Sequence, residues 1–488
     1  AGSRRRWMAP AAIIIALCLA AAGGYRAFTA RQTPTATSIA VLPFLNLSGT
    51  AENADLSDGL VEEVSTALAQ ADGLKVVSRS SAAQFRENGF DVREAGRRLG
   101  VEMVLEGSLL AAGKRVRINA QLIQVSDGFH IWSHTWDGDA NNLYALQAEL
   151  SQSVASVLKY RLRGHAGAPR DPDAYLKYLK AQSFQSRATI ADLTVSTVLL
   201  RAAIATDPTW APAHAALADS YASIAYREAE PNADLIRRAK LSAETALRLD
   251  SQLAEAHAVL AWVKFFYDWD WAGSEKGLRR ALEFDPNSPR TLNWLAQRLM
   301  SEGRFDEALT TAGRALALDP MSNRASSNVA VVLYCARRFE EAIAQSRLAL
   351  RIDPNFYLAH TIAGVSLQEL GRFPEAEAEL HTALELLPGD ADSQAHLGAV
   401  ALAQGRREQA LHLLDRLEHP PKGETCSHYA VACLNAAFGR KQQALQALEA
   451  AIAQRNSDIT VLNVDPALAA LHGDEGFQAL ASRLGWKR

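Results

Sequence analysis

The sequence predicts an α+β chain in three parts: an N-terminal membrane helix, a small mixed α/β domain, and an all-α superhelix of stacked helix pairs. Three observations carry this reading. A charge-free run, Trp7–Ala22, follows Arg4, Arg5 and Arg6. Alternating apolar runs flank Asp127-Gly128, a strong hairpin signal. Further on, Pro286, Pro320, Pro354 and Pro388 each follow the last by 34 residues, and a fixed period of that size marks a repeat array.

At 488 residues the chain is too long for one compact core and predicts about two to four units. Hydrophobic residues at 48% and charged ones at 22% exclude wholesale disorder. The net charge of -3 is spread over both signs, so the residues present predict no direct nucleic-acid contact. Cys18, Cys335, Cys426 and Cys433 form no disulfide framework. Cys426 and Cys433 read as small hydrophobes two turns apart on one helix face.

Residues 1–30 read as anchor and flank. The apolar run, about 16 to 19 residues, is at the short end for a span, which needs about 20. As a transmembrane helix it places the arginines in the cytoplasm and the bulk of the chain in the periplasm, anchored to the inner membrane. A cleaved secretory signal, with Ala20-Ala21-Ala22 offered to a peptidase, and a lipoprotein site at Cys18 are the rival readings. All three export the remainder. Residues 31–37 form a polar linker.

Residues 38–163 predict the α/β domain. Ser38–Leu47 reads as one buried strand. Leu56, Leu60, Val64 and Leu68 are four apart, one face of a helix over 55–70 that Asp55 or Ser57 would cap. A second strand (LKVVSRS) and two short helices around Ala82–Asn88 and Val92–Leu99 follow. Three strands separated by Ala112-Gly113 and Asp127-Gly128 come next, then a helix from about Asn142 to Leu162. The runs SIAVLPFLNLSG, DGLVEEVSTALAQ, LKVVSRSS, RRLGVEMVLEGSL and RVRINAQLIQVSDGFHIWSHTWD resemble the TolB amino-terminal-like domain. That domain recurs between a membrane span and a repeat array in bacterial regulators. Among these are membrane-tethered winged-helix transcription regulators similar to the cadaverine-operon activator, and some repeat-bearing adenylate cyclases and protein kinases. The resemblance implies no catalytic residues.

Two tempting sites in this unit fail on geometry. GSLLAAGK (Gly107–Lys114) has one residue too many between its glycines for a phosphate loop, and Arg115 stands where Ser or Thr should hold magnesium. A hairpin turn is the better reading. His130 and His134 alternate with Trp132 and Trp136 on one strand face, and four residues of strand separate the histidines by about 13 Å, too far to share a metal ion.

Residues 173–457 predict about eight helix pairs. Small residues recur where paired helices must approach, at Ala296, Ala330, Gly364, Gly398 and Ala432, and again twelve later at Ala308, Ala342, Ala376, Ala410 and Ala444. Gly303, Gly371, Gly405 and Gly439 mark the turns between, each followed by arginine, and Phe305, Phe339 and Phe373 plug the gap after them. This pattern is identified as the tetratricopeptide repeat. Earlier repeats are looser. Asp250 follows Asp207 by 43, so the second repeat holds extra residues around Arg227–Pro231, and DWDWAG replaces the glycine turn of the third. Trp262, Phe265, Phe266, Trp269 and Trp271 read as core. Residues 458–488 read as a polar-faced segment capping the last helix pair.

Stacked pairs make a right-handed superhelix whose first helices line a concave groove for a peptide or partner helix. Asn293, Gln297, Asn328, Tyr334, His360 and Gln368 are the candidate partner-binding residues. No catalytic residue, cofactor site or metal site is predicted, and no heptad seam sets an oligomeric state. The expected function is a non-enzymatic interaction scaffold for protein or peptide partners, joined to the membrane by its N-terminal helix. It would be the extracytoplasmic sensory part of a bacterial signalling or transcription regulator. The start at Ala1 fits a processed, tagged or partial chain, with a winged-helix, cyclase or kinase effector upstream. A stand-alone exported envelope scaffold is the alternative.

Overall fold

The structure, a computed structural model, describes residues 37–486 apart from 72, 86–90, 163–166, 168, 188, 228–231 and 423–424. The segment read as an anchor (1–30), the linker to residue 36, Cys18 and most of the insertion read at 227–231 lie outside the described residues. Among the described residues no helix is long and apolar enough to cross a membrane.

The predicted first strand is divided into β1 (Ser38–Val41) and β2 (Leu45–Asn46). Pro43, which lacks an N–H, stands at the break. Helix α1 (Ala51–Ala69) starts earlier than predicted because Thr50, not Asp55 or Ser57, accepts from the Asn53 N–H. Its face of Leu56, Leu60, Val64 and Leu68 is buried, as the spacing requires. The second strand shrinks to β3 (Lys75–Val76), followed by α2 (Arg79–Ala82), a 3-10 turn and α3 (Val92–Leu99). Then come β4 (Met103–Ala112), β5 (Arg115–Gln124), β6 (His130–Asp139) and α4 (Leu143–Val157).

The strands form a mixed sheet in the order β3-β1-β4-β5-β6, with β2 also on β4. β1 runs parallel to β3 and β4, and β4-β5-β6 is an antiparallel meander. Gly113 and Gly128 supply the positive φ its two turns require. Period-two alternation divides the strand residues between two cores. Ile39, Val41 and Leu105 face α1 and α4, whereas Ala40 and Val104 face α2 and α3. Gly107 lies mid-strand in β4, in the hairpin reading of GSLLAAGK. Trp132, His134 and Trp136 form a ring ladder along one face of β6, with His134 and Trp136 4.6 Å apart edge to face.

The repeats are eight antiparallel helix pairs among the described residues. They run α5 (Pro172–Arg187) with α6 (Ile190–Thr206), α7 (Ala211–Arg227) with α8 (Ala233–Leu249), and α9 (Ala254–Val263) with α10 (Trp271–Phe284). Next come α11 (Pro289–Ser301) with α12 (Phe305–Leu318), and α13 (Asn323–Cys335) with α14 (Phe339–Ile352). The last are α15 (Tyr357–Glu369) with α16 (Phe373–Leu386), α17 (Ala391–Ala403) with α18 (Arg407–Glu418), and α19 (His428–Ala437) with α20 (Lys441–Ala453).

Every small residue picked out by the period is buried, and at Gly364 an added Cβ would stand 2.7 Å from Leu380 Cγ, so close approach excludes a side chain. The turn glycines 303, 371, 405 and 439 are left-handed, and Arg337 takes the same conformation where the fifth repeat lacks glycine. Between pairs, Asp250, Asp285 and Asp353 each accept from the N–H two residues on, which closes the turn ahead of the next helix. In the third repeat α9 ends in a π-helical turn, Lys264–Asp268, and left-handed Trp269 replaces the glycine. Trp262, Phe265, Phe266 and Trp271 are buried. Cys426 lies ahead of α19 and not on it, while Cys433 is buried within the helix, so the two do not share a helix face.

Candidate functional site

First helices of successive pairs face the interior of the superhelix, and this lumen is where a partner segment would lie. Two parts of the chain itself already occupy it. At the N-terminal end α1 lies along α5. Gly59 meets the Leu179 backbone so closely that a Cβ would stand 2.2 Å from its carbonyl oxygen. Polar bonds surround that crossing. Glu52 pairs with Lys180, Asp55 accepts from Ser183 at 3.0 Å and pairs with Arg187, and the Tyr178 hydroxyl donates to Glu63 at 3.1 Å. Burial pushes the Glu63 carboxyl up to about 7 against that hydrogen bond, and burial with the nearby Asp219 pushes Glu255 up to about 8.

The α/β domain also grips the inter-repeat loops. Asn287 donates to the carbonyls of Ala69 and Leu74, at 3.1 and 3.2 Å, and the Ser78 N–H donates to Leu318. Ser80 and Ser81 donate to the Asp319 carboxylate at 2.7 and 2.6 Å. Asp319 therefore bonds across domains where its counterparts in other repeats close their own turns.

At the other end the C-terminal segment runs back through the lumen. It continues past the last pair as two 3-10 stretches, Ser457–Val461 and Pro466–Leu471, and α21 (Glu475–Arg483). Ile459, Leu462, Leu468, Leu471, Phe477 and Trp486 are buried. The far end returns to the third repeat, where Trp486 stacks on Trp271 at 4.2 Å and the Trp271 indole donates to the Leu484 carbonyl at 2.6 Å. Arg298, fully buried, steadies this anchor from beneath by donating to the Trp271 carbonyl at 2.8 Å and to Ser301, with its remaining charge paired to Glu302.

Asp465 is the polar centre of the segment. Its carboxylate accepts from Tyr429 at 2.8 Å, from Tyr334 at 3.4 Å and from the Ala467 N–H. Burial and the carboxylates of Asp465 and Asp390 push Asp458 up to about 6. Between Pro466–Ala470 and helices α15, α17 and α19 a cavity of about 350 Å³ remains, walled by Gln368, Glu369, His396 and Cys433. Burial lowers the His396 imidazole, which keeps it neutral, and raises the Cys335 and Cys433 thiols, which keeps them protonated.

The six residues picked out from sequence divide in two. Asn293 and Asn328 are buried and bonded to each other at 3.0 Å, and Tyr334 is buried against Asp465. Gln297, His360 and Gln368 are half-buried. His360 Nδ1 lies 2.6 Å from Glu379, and Gln368 lies 3.0 Å from His396.

Sequence reading missed a second group. Tyr226 at the end of α7 meets Arg324 at the start of α13, the guanidinium 5.8 Å from the ring centre, so repeats two and five touch across the lumen. Arg290 lies 4.5 Å over Trp294 and pairs with Asp219. Tyr226 and Arg324 are exposed. Only the odd placement of arginines beside aromatics could have hinted at them. No group of His, Cys, Asp and Glu suited to a metal ion occurs among the described residues.

Comparison with known proteins fits this architecture. Residues 35–153 match the family described as HilA/YgeH-like transcriptional regulator, second domain, and residues 295–355 and 367–430 match tetratricopeptide repeat families. A protein of Rhizobium meliloti (strain 1021) named "Putative adenylate cyclase 3" is 33% identical over 192 residues, covering 38% of this chain and 33% of that one. The chain therefore spans about a third of the length of the curated relative it matches. Among solved structures, Pseudomonas aeruginosa PilF is similar at 21% identity over 45% of this chain and 94% of its own, with a TM-score of 0.36. The human IFIT1 dimer with m7Gppp-AAAA is similar at 15% identity over 63% and 77%, with a TM-score of 0.44. The chain carries a HilA-like regulator domain followed by tetratricopeptide repeats.

Proposed function

We propose that this chain is a non-enzymatic protein–protein interaction scaffold, and that it serves as the extracytoplasmic sensory and docking part of a membrane-tethered bacterial signalling or transcription regulator. The observation that carries the scaffold reading is the lumen, which holds two separate polypeptide segments, α1 and residues 456–486, by apolar burial and side-chain hydrogen bonds. A surface that binds its own chain in this way has the chemistry to bind another. The match to a transcriptional-regulator domain and the cyclase name of the relative support the regulatory context. The TolB-like resemblance of residues 38–163 belongs to the same reading, as does anchoring through Trp7–Ala22.

The test has two arms on the full chain. A photo-crosslinking residue at Tyr357 inside the lumen should give discrete polypeptide adducts in cells, and one at exposed Glu244 on α8 should not. Equal labelling from both positions, or none from Tyr357, defeats the scaffold reading. Alkaline phosphatase fused after Arg488 should be active and sediment with membranes. Inactive fusion defeats export, and active soluble fusion favours the stand-alone envelope scaffold, in which Ala20–Ala22 mark a cleavage site.

A further inference from the structure

The middle of the lumen lies between the part filled by α1 and the part filled by the C-terminal segment, and three arginines gather there. Arg227, Arg290 and Arg324 approach from three different repeats. Arg227 donates to the Ser223 carbonyl at 2.9 Å, and burial, then the Arg324 and Arg290 charges, pull it below the ordinary arginine range. Arg290 pairs with Asp219. Among the described residues Arg324 has the Tyr226 ring for a neighbour and no carboxylate. Burial, then the Asp219 charge, pushes the nearby Glu255 carboxyl up to about 8 against the pull of Arg290. Among the described residues, Asp219 is the one carboxylate ion-paired with any of these three guanidinium groups, and stacking on Tyr226 and Trp294 holds two of them in place.

Such a cluster attracts an anion. A long polyanion is disfavoured, because it would run on past Tyr357 to a wall that holds Asp390 and Asp465, with Asp392 and Asp458 beside them held up by burial. A peptide with a short acidic run meets the arginines without reaching that wall.

Resting on the scaffold reading above, we propose that Arg227, Arg290 and Arg324, with Tyr226, Trp294 and Tyr357, form the docking site for a short acidic peptide segment of the partner protein, whose carboxylates the guanidinium forks take.

The test uses the full chain and three fluorescein-labelled probes followed by anisotropy: a heptaglutamate peptide, a heptaglutamine peptide and a heptathymidine oligonucleotide. Heptaglutamate should bind, weakening about tenfold between about 50 and 300 mM salt, with heptaglutamine at least tenfold weaker. The R227Q/R324Q pair should weaken heptaglutamate binding at least tenfold with an unchanged melting temperature, and R324K should fall between. Equal binding of glutamate and glutamine peptides, tighter binding of the oligonucleotide, or indifference to R227Q/R324Q overturns the proposal. If R227Q/R324Q misfolds, R324Q alone decides, since Arg324 is exposed. Adducts from Tyr357 alongside a failed heptaglutamate test would leave the scaffold reading standing and remove the acidic-segment assignment alone.

Discussion

Replacing Gly59 by alanine asks whether the α/β domain and the repeats form one rigid body. In an exposed helix the change stabilises by about 1 kcal/mol, because glycine loses more backbone freedom on folding. At Gly59 the new Cβ would sit 2.2 Å from the Leu179 carbonyl oxygen and 2.6 Å from its carbon, and both obstacles are backbone. Ordinary contact is about 3.5 Å, so α1 and α5 must part by about 1 Å, which forfeits much of the dispersion between them. Leu56, Leu60, Tyr175, Tyr178 and Leu179, all buried, lie in or beside that seam. Overpacking of this kind costs about 1–3 kcal/mol and outweighs the helix-propensity gain. Gly313, exposed in α12 with nothing within 4 Å of an added Cβ, is the internal control. In urea unfolding, Gly313→Ala should raise stability by about 1 kcal/mol, whereas Gly59→Ala should lower it by about 1–2 kcal/mol and speed amide exchange in α1 and α5. If both variants stabilise equally, the helices do not meet at Gly59 and the domain coupling described above is wrong.

Two further outcomes follow from the filled ends of the lumen. Trp486→Ala removes the stack on Trp271 and should cost about 3–5 kcal/mol locally. It should appear as faster amide exchange across residues 457–486 with the α/β domain unchanged, and unaltered protection of that segment would show that the stack does not hold it. Glu63→Gln keeps the acceptor for Tyr178 and removes the half-buried acid. A carboxyl raised to about 7 makes the folded state hold a proton that the unfolded chain releases near 4.5. The wild type should therefore lose stability as pH climbs from about 4.5 through about 7, while the variant should show less of that slope and melt higher at pH 8. Parallel melting-temperature profiles for the two proteins would refute a raised Glu63.

The repeat architecture was legible because it is a nearest-neighbour property. Each pair must place small residues where its helices touch, so Ala296, Ala330, Gly364, Gly398 and Ala432 return at the period that the buried contacts demand. The meander was legible for a similar reason, since Asp127-Gly128 and Ala112-Gly113 state their turns locally. Boundaries were less readable. Pro43 divided one predicted strand, and Thr50 capped α1 ahead of the acid that spacing favoured.

Local spacing did not indicate which part of the concave surface stays open. Asn293, Asn328 and Tyr334 sit on first helices as the repeat phase dictates, yet tertiary contacts enclose them. Those contacts join residues far apart in sequence, such as Tyr334 with Asp465 across 131 positions and Trp271 with Leu484 across 213. Periodicity reports what a residue needs from its own repeat. The occupation of the lumen depends on long-range packing of α1 and the C-terminal segment, and only the folded chain reveals that these two fill its ends and leave Arg227, Arg290 and Arg324 between them.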